Sequence, residues 1–241
     1  MVILGGAADE PSEALGGMTP IEAADTPTID RLADFGRVGS VATTPRDLVP
    51  LPVVQLATLL GVEADEISRC MTGGSAWPSV PERFQVSAAI ATANDDTAAC
   101  ASELGFRVQR VMETATAACA LLDEHDLVCV HAQVTAETPR AKRDSLEAID
   151  AELVAPVARK LEDCETWRLL LTTDAVVRCE GQTREALPVP FLMAGSWVRR
   201  VVRRRWSEVE ADASDLHVDP GCELMDYFLN AGVVSRRSVR R

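Results

Sequence analysis

Apolar residues fall along this chain as short, nearly continuous runs separated by stretches with helical spacing. Residues 1–5, Leu127–Gln133, Trp167–Thr173 and Val189–Ala194 are runs of strand length, rich in Val, Ile and Leu. Such runs suit strands buried on both faces. Arg37–Thr43, Phe84–Thr92 and Phe106–Val111 complete the predicted strands. Between them, Thr26 offers a helix N-cap and Pro27 a first helical residue; Ile29, Leu32 and Ala33 follow at helical spacing, and Gly36 is the stop. Further helices are predicted over 53–60, closed by Gly61, and over 95–104, where Asp95 and Asp96 sit at the end favoured by the helix dipole. Two more are expected at 114–124 and 222–231. The longest, 144–163, carries Leu146, Ile149, Leu153 and Val157 on one face, and Pro156 should kink or split it.

Strands alternating with helices imply an α/β fold: a doubly wound, mostly parallel sheet with helices on both faces. At 241 residues and 47% apolar content the chain can bury one substantial core, so 1–241 is read as a single domain. Residues 62–83, with Gly73-Gly74-Ser75, Pro78 and Pro81, carry the weakest pattern and read as a short linker. Residues 235–241 read as a flexible basic tail.

Charge and cysteine content narrow the field. A net charge of −13 argues against nucleic-acid binding. Arginines nevertheless crowd positions 199–205, between Trp197 and Trp206, and recur at 236, 237, 240 and 241. The expectation is a solvated strand edge, and a tail that contacts the protein's own acidic surface. No basic segment with an apolar run opens the chain and no apolar stretch approaches the ~20 residues of a membrane span, so a cytoplasmic location without membrane contact is expected. Seven cysteines without a Cys-x-x-Cys pair fit reduced thiols, mostly buried. Cys222, near His217, is a weak candidate thiolate, and His125 reads as an exposed turn residue.

The segment from Gly16-Gly17-Met18-Thr19-Pro20 to Ile29-Asp30-Arg31-Leu32-Ala33, followed by Gly36-Arg37-Val38-Gly39, resembles the opening of the archaeal-type cofactor-independent phosphoglycerate mutases, members of the alkaline phosphatase superfamily. Further likeness lies in Val128-Cys129-Val130-His131, Thr172-Thr173-Asp174, Leu187-Pro188-Val189-Pro190-Phe191 and Gly221-Cys222-Glu223-Leu224-Met225. The resemblance implies an alkaline-phosphatase-like core, a serine nucleophile, and two divalent metals such as manganese or zinc. It also marks departures. Gly5 stands where the family has a metal-binding aspartate, and Pro52 and Val53 stand at the serine and its aspartate neighbour. Ala136 replaces a second aspartate, and Arg140 and Arg184 fall at metal-binding histidines. The matching segments resume after residues 62–83, so the domain that the family inserts there is expected to be missing.

Two metal ions need many carboxylate and imidazole ligands, which one Asp174 and one His131 do not supply. No metal cofactor is therefore expected. A guanidinium binds phosphate without metal, which makes Arg184, Arg140, Asp174 and His131 the candidate anion-binding set. The expected role is a non-catalytic protein that binds a small phosphorylated ligand or a protein partner. Homo-oligomerisation is an alternative, as is residual mutase or phosphoesterase chemistry at an altered site.

Overall fold

The computed structural model describes residues 1–111, 114–134 and 136–230. Among the described residues ten strands are formed: β1 (Val2–Gly5), β2 (Arg37–Val41), β3 (Ala88–Thr92), β4 (Arg107–Arg110), β5 (Leu127–Gln133), β6 (Arg168–Thr173), β7 (Val176–Val177), β8 (Arg184–Glu185), β9 (Val189–Gly195) and β10 (His217–Val218). The helices are α1 (Pro20–Ala23), α2 (Pro27–Ala33), α3 (Pro52–Leu59), α4 (Ala64–Met71), α5 (Val80–Phe84), α6 (Asp95–Glu103), α7 (Thr114–Leu121), α8 (Pro139–Ile149), α9 (Ala155–Glu162), α10 (Glu208–Asp212) and α11 (Glu223–Asn230).

Eight strands make one sheet in the order β10-β2-β9-β6-β1-β5-β3-β4, and β7 and β8 form a separate two-stranded ribbon. The sheet is mostly parallel, as the alternating pattern implies. β9 is the exception, running antiparallel to both β2 and β6. At the centre β1 pairs with β5 in the register Val2–Val130 and with β6 in the register Val2–Leu171. Ile3, Leu4, Cys129, Leu170 and Leu171 are completely buried. Covered on both faces, these strands cannot alternate polar with apolar, hence their continuous apolar runs.

Three local readings change. Residues 62–83 hold two helices. α4 opens with a reciprocal cap between Glu63 and Glu66, and Ser79 caps α5. α4 buries only Ile67, so its pattern has one apolar anchor amid charge. The long helix starts earlier than expected, at Pro139, with Thr138 as its cap. It is interrupted by a π-turn at Asp150–Val154, where Ala155 N donates to Asp150 O, five residues back. Pro156 lacks the N–H that would continue the regular ladder, and the split falls beside it. Thr26 makes no side-chain cap on α2. Asp150 accepts from Thr28 N at 3.0 Å and Ile29 N at 2.9 Å instead.

The arginine-rich stretch is a strap, not a strand. Arg203 pairs with Asp34, Arg205 with Asp30 and Arg204 with Glu210, so this stretch, expected as a solvated strand edge, is tied to acidic side chains instead. The tail at 235–241 lies outside the described residues. No helix among them is long and apolar enough to cross a membrane.

Candidate functional site

The carboxyl ends of β1, β5 and β6 bring together residues far apart in sequence, where open parallel sheets usually bind ligands. Asp174, just beyond β6, is buried. Its Oδ1 accepts from Gly6 N at 2.7 Å, and its Oδ2 accepts from Arg184 Nη1 at 3.2 Å. His131 Nε2 lies 4.0 Å from the same Oδ2, an ion-pair distance too long for a hydrogen bond. On its other side the imidazole approaches Thr97, with 3.5 Å between Nδ1 and Oγ1. Burial pushes the Asp174 carboxyl up, but His131, the Arg184 guanidinium and the Gly6 amide together hold it below the usual carboxylate range.

Arg184 arrives on the β7–β8 ribbon. Its Nη1 also donates to Gln55 Oε1 at 2.6 Å, and Gln55 Nε2 donates to Thr44 Oγ1 at 2.9 Å and to Glu185 O at 3.1 Å. Gln55 is a completely buried polar residue on the apolar helix α3. Among the described residues, every hydrogen bond of Arg184 runs from Nη1, and 19% of the side chain remains exposed. Arg140 is not brought into this cluster. It sits in the first turn of α8, and its Nε donates to Ala14 O at 3.2 Å.

The wall beside Asp174 is closed by small and neutral groups. Gln133 Nε2 donates to Gly5 O at 3.2 Å. A Cβ on Gly5 would lie 2.7 Å from Gln133 Oε1 and 2.9 Å from His131 Nε2, so any side chain there would displace both. Among the described residues no three His, Cys, Asp or Glu side chains are grouped to hold a metal ion.

A second buried charge cluster lies nearby in sequence on the Asp9 segment. Lys142, 1% exposed, sits with its Nζ 2.9 Å from Asp9 Oδ2 and donates to Val177 O at 2.5 Å. Asp9 also accepts from Cys179 N at 3.1 Å and Glu10 N at 2.8 Å. Glu208 joins the set, accepting from Asp9 N at 3.2 Å and from the Thr19 hydroxyl at 2.7 Å. Burial pushes the Glu208 carboxyl up to about 7. Sequence reasoning missed Lys142 and Glu208, since a lone charge on an amphipathic helix reads as solvent-facing. The one available signal was that Lys142 is one of only two lysines in an arginine-rich chain.

The remaining candidates resolve plainly. Burial raises the Cys222 thiol pKa, and His217 Nδ1 engages Ser40 Oγ at 2.8 Å. His125 is not an exposed turn residue: both ring nitrogens are buried and without a hydrogen-bond partner among the described residues. Every cysteine is a free thiol; Cys100, Cys129 and Cys179 are buried and Cys164 is exposed.

The sheet order, the antiparallel β9 and a polar cluster at the carboxyl ends of the central strands define an alkaline-phosphatase-like α/β protein. Comparison with known proteins places phosphoglycerate mutases beside it. A Geobacter sulfurreducens protein described as a probable 2,3-bisphosphoglycerate-independent phosphoglycerate mutase is 40% identical over 121 residues, 48% of this chain and 30% of that protein. The 2,3-bisphosphoglycerate-independent phosphoglycerate mutase of Methanothrix thermoacetophila is 41% identical over 64 residues, 26% of this chain and 16% of that one. The chain thus matches less than a third of the length of either curated relative. No family model matches the sequence.

Among solved structures, the PH0037 protein of Pyrococcus horikoshii superposes with a TM-score of 0.80 at 20% identity, covering 96% of this chain and 95% of that one. The cofactor-independent phosphoglycerate mutase of Thermoplasma acidophilum gives 0.69 at 14% identity, covering 96% and 98%. The resemblance carried by the sequence motifs is therefore present in sequence relatives and in fold alike.

Proposed function

We propose that this phosphoglycerate-mutase-like protein has lost the nucleophile and most metal ligands of its relatives and works as a metal-free binding protein for a small phosphorylated anion, with Arg184 as the receptor. The observation that carries the reading is the coordination of Asp174. One oxygen is held by a backbone amide and the other by a guanidinium, the reverse of what a metal ligand needs. The donor set around it points the same way. Gly5 has no room for a carboxylate unless Gln133 and His131 move, and Gln133 and Gln55 are amides that contribute no charge to a dication. A two-metal site does not fit these residues.

Among the described residues Arg184 Nε and Nη2 make no hydrogen bond, and a guanidinium edge matches two phosphate oxygens. Asp174 fixes the other edge, which orients the fork but also offsets part of its charge. The fitting ligand is accordingly small, with affinity that falls as salt rises. Calorimetric titration with 3-phosphoglycerate and with inorganic phosphate tests the reading. Saturable binding that disappears in Arg184→Ala and survives chelator is expected. Unchanged affinity in Arg184→Ala would sink the receptor assignment. Interconversion of phosphoglycerates that requires manganese or zinc would sink the non-catalytic reading as well.

A further inference from the structure

Gln55 stands on α3 among Val54, Leu56, Ala57 and Leu59, all buried, and is itself completely buried. Leucine or methionine would fill the same space, and an amide removed from water is costly unless its hydrogen bonds are made. Here they are made, and they tie α3 to both residues of β8. Nε2 donates to Thr44 Oγ1 at 2.9 Å and to Glu185 O at 3.1 Å, and Oε1 accepts from Arg184 Nη1 at 2.6 Å. The orientation of the amide follows from the chemistry of its partners. A backbone carbonyl only accepts and a guanidinium only donates, so a reversed amide would turn the wrong group to each.

Nη1 is thereby shared between two acceptors, Gln55 Oε1 and Asp174 Oδ2, the second at 3.2 Å. The two differ in charge. Asp174 is held as a carboxylate and offsets the guanidinium, whereas the amide takes the shorter bond and adds no charge. A second carboxylate in its place would make the cluster net negative and repel an anion. Since Arg184 and Glu185 are neighbours on β8, one amide grips that strand by a side chain and by the adjoining backbone. We propose that Gln55 is the positioning residue for Arg184, on the reading of Arg184 as the anion receptor. It keeps Nη1 engaged so that the edge formed by Nε and Nη2 is the one offered to the phosphorylated anion, and its neutrality keeps that edge attractive.

Two variants separate position from charge. Gln55→Met keeps the volume and removes all three hydrogen bonds; Gln55→Glu keeps an acceptor for Nη1 and adds a charge. Calorimetric titration with inorganic phosphate should give a Kd raised about tenfold in Gln55→Met, the worth of one hydrogen bond to a charged group. Binding should weaken further in Gln55→Glu. In proton–nitrogen NMR spectra of the ligand-free protein, the Arg184 guanidinium signals, identified by their loss in Arg184→Lys, should show hindered rotation that is released in Gln55→Met. A residue that merely fills the core would move neither readout. Free rotation of the Arg184 guanidinium in the unmodified protein would overturn the proposal, whether or not either variant folds. Unchanged phosphate affinity in Gln55→Met, with binding still lost in Arg184→Ala, would overturn the positioning role and leave the receptor standing. If the unmodified protein binds no phosphate while rotation is released in Gln55→Met, the receptor reading fails and Gln55 still positions Arg184.

Discussion

Gly5 and Arg184 carry opposite halves of the site: one keeps space closed, the other keeps a buried charge balanced. Replacing Arg184 with alanine leaves Asp174 buried beside only His131 and the Gly6 amide. Breaking a buried pair in this way costs about 3–5 kcal/mol, so a urea titration of Arg184→Ala should lose about 3 kcal/mol, and Asp174→Asn on that background should recover part of it. Glu208 predicts a pH effect. Its carboxyl is raised from 4.5 to about 7 because burial disfavours the charged form. The stability tied to its neutral form is complete below 4.5 and is lost as pH rises through about 7. Denaturation curves at pH 5 and pH 8 should therefore differ less for Glu208→Gln than for the unchanged chain, and an equal difference in both would rule the assignment out. Asp174, His131 and Arg184 could be named from the motifs because each sits at a strand end or in the ribbon behind one. Gln55, Lys142 and Glu208 could not, since their burial depends on partners over a hundred residues away in the cases of Gln55 with Arg184 and Lys142 with Asp9.

Among the elements, those with a continuous apolar run or a clear glycine stop match their sequence patterns within a few residues. Those that differ do so for identifiable reasons. α4 meets the core through Ile67 alone, and α8 begins with Pro139, Arg140 and Ala141, whose apolar content does not announce a helix. The cap of α2 is borrowed from the π-turn: Asp150 lies 122 residues beyond Thr28 in sequence, and no local motif could reveal it. Loss of an N-cap costs about 0.5–2 kcal/mol. Asp150→Ala should fall at the upper end of that range, since two amides lose a partner at once, whereas Thr26→Val, which removes the hydroxyl and keeps the shape, should be nearly neutral. Thermal melts of the two variants decide which residue caps the helix.

At the scale of the whole molecule, α/β class and parallel bias followed from the alternation of strands and helices, while strand order and the reversal of β9 did not. Both are settled by long-range pairing that leaves no periodic trace. A domain whose polar centre is closed by arginine and amides should be indifferent to metals. Ligand that binds only the folded state raises stability by RT ln(1 + [L]/Kd), about 2.7 kcal/mol at a hundredfold excess over Kd. The melting temperature should therefore be the same in chelator and in saturating manganese or zinc, and an upward shift of several degrees with either ion would contradict this account of the site.

The central position of β1 sets the order in which the protein can be assembled during synthesis. Val2, Ile3 and Leu4 leave the ribosome well before their sheet partners, which are Val130 to Ala132 on one side and Leu171 to Thr173 on the other. Until β6 has emerged, the innermost strand has at most one neighbour and a bare apolar face. Loop closure over such spans is slow compared with helix formation, and exposed strand edges are where nascent chains go astray. A ribosome stalled between β5 and β6 should hold a chain that trigger-type chaperones bind and proteases cut, and release of that protection problem should coincide with the appearance of β6, not with the completion of any helix.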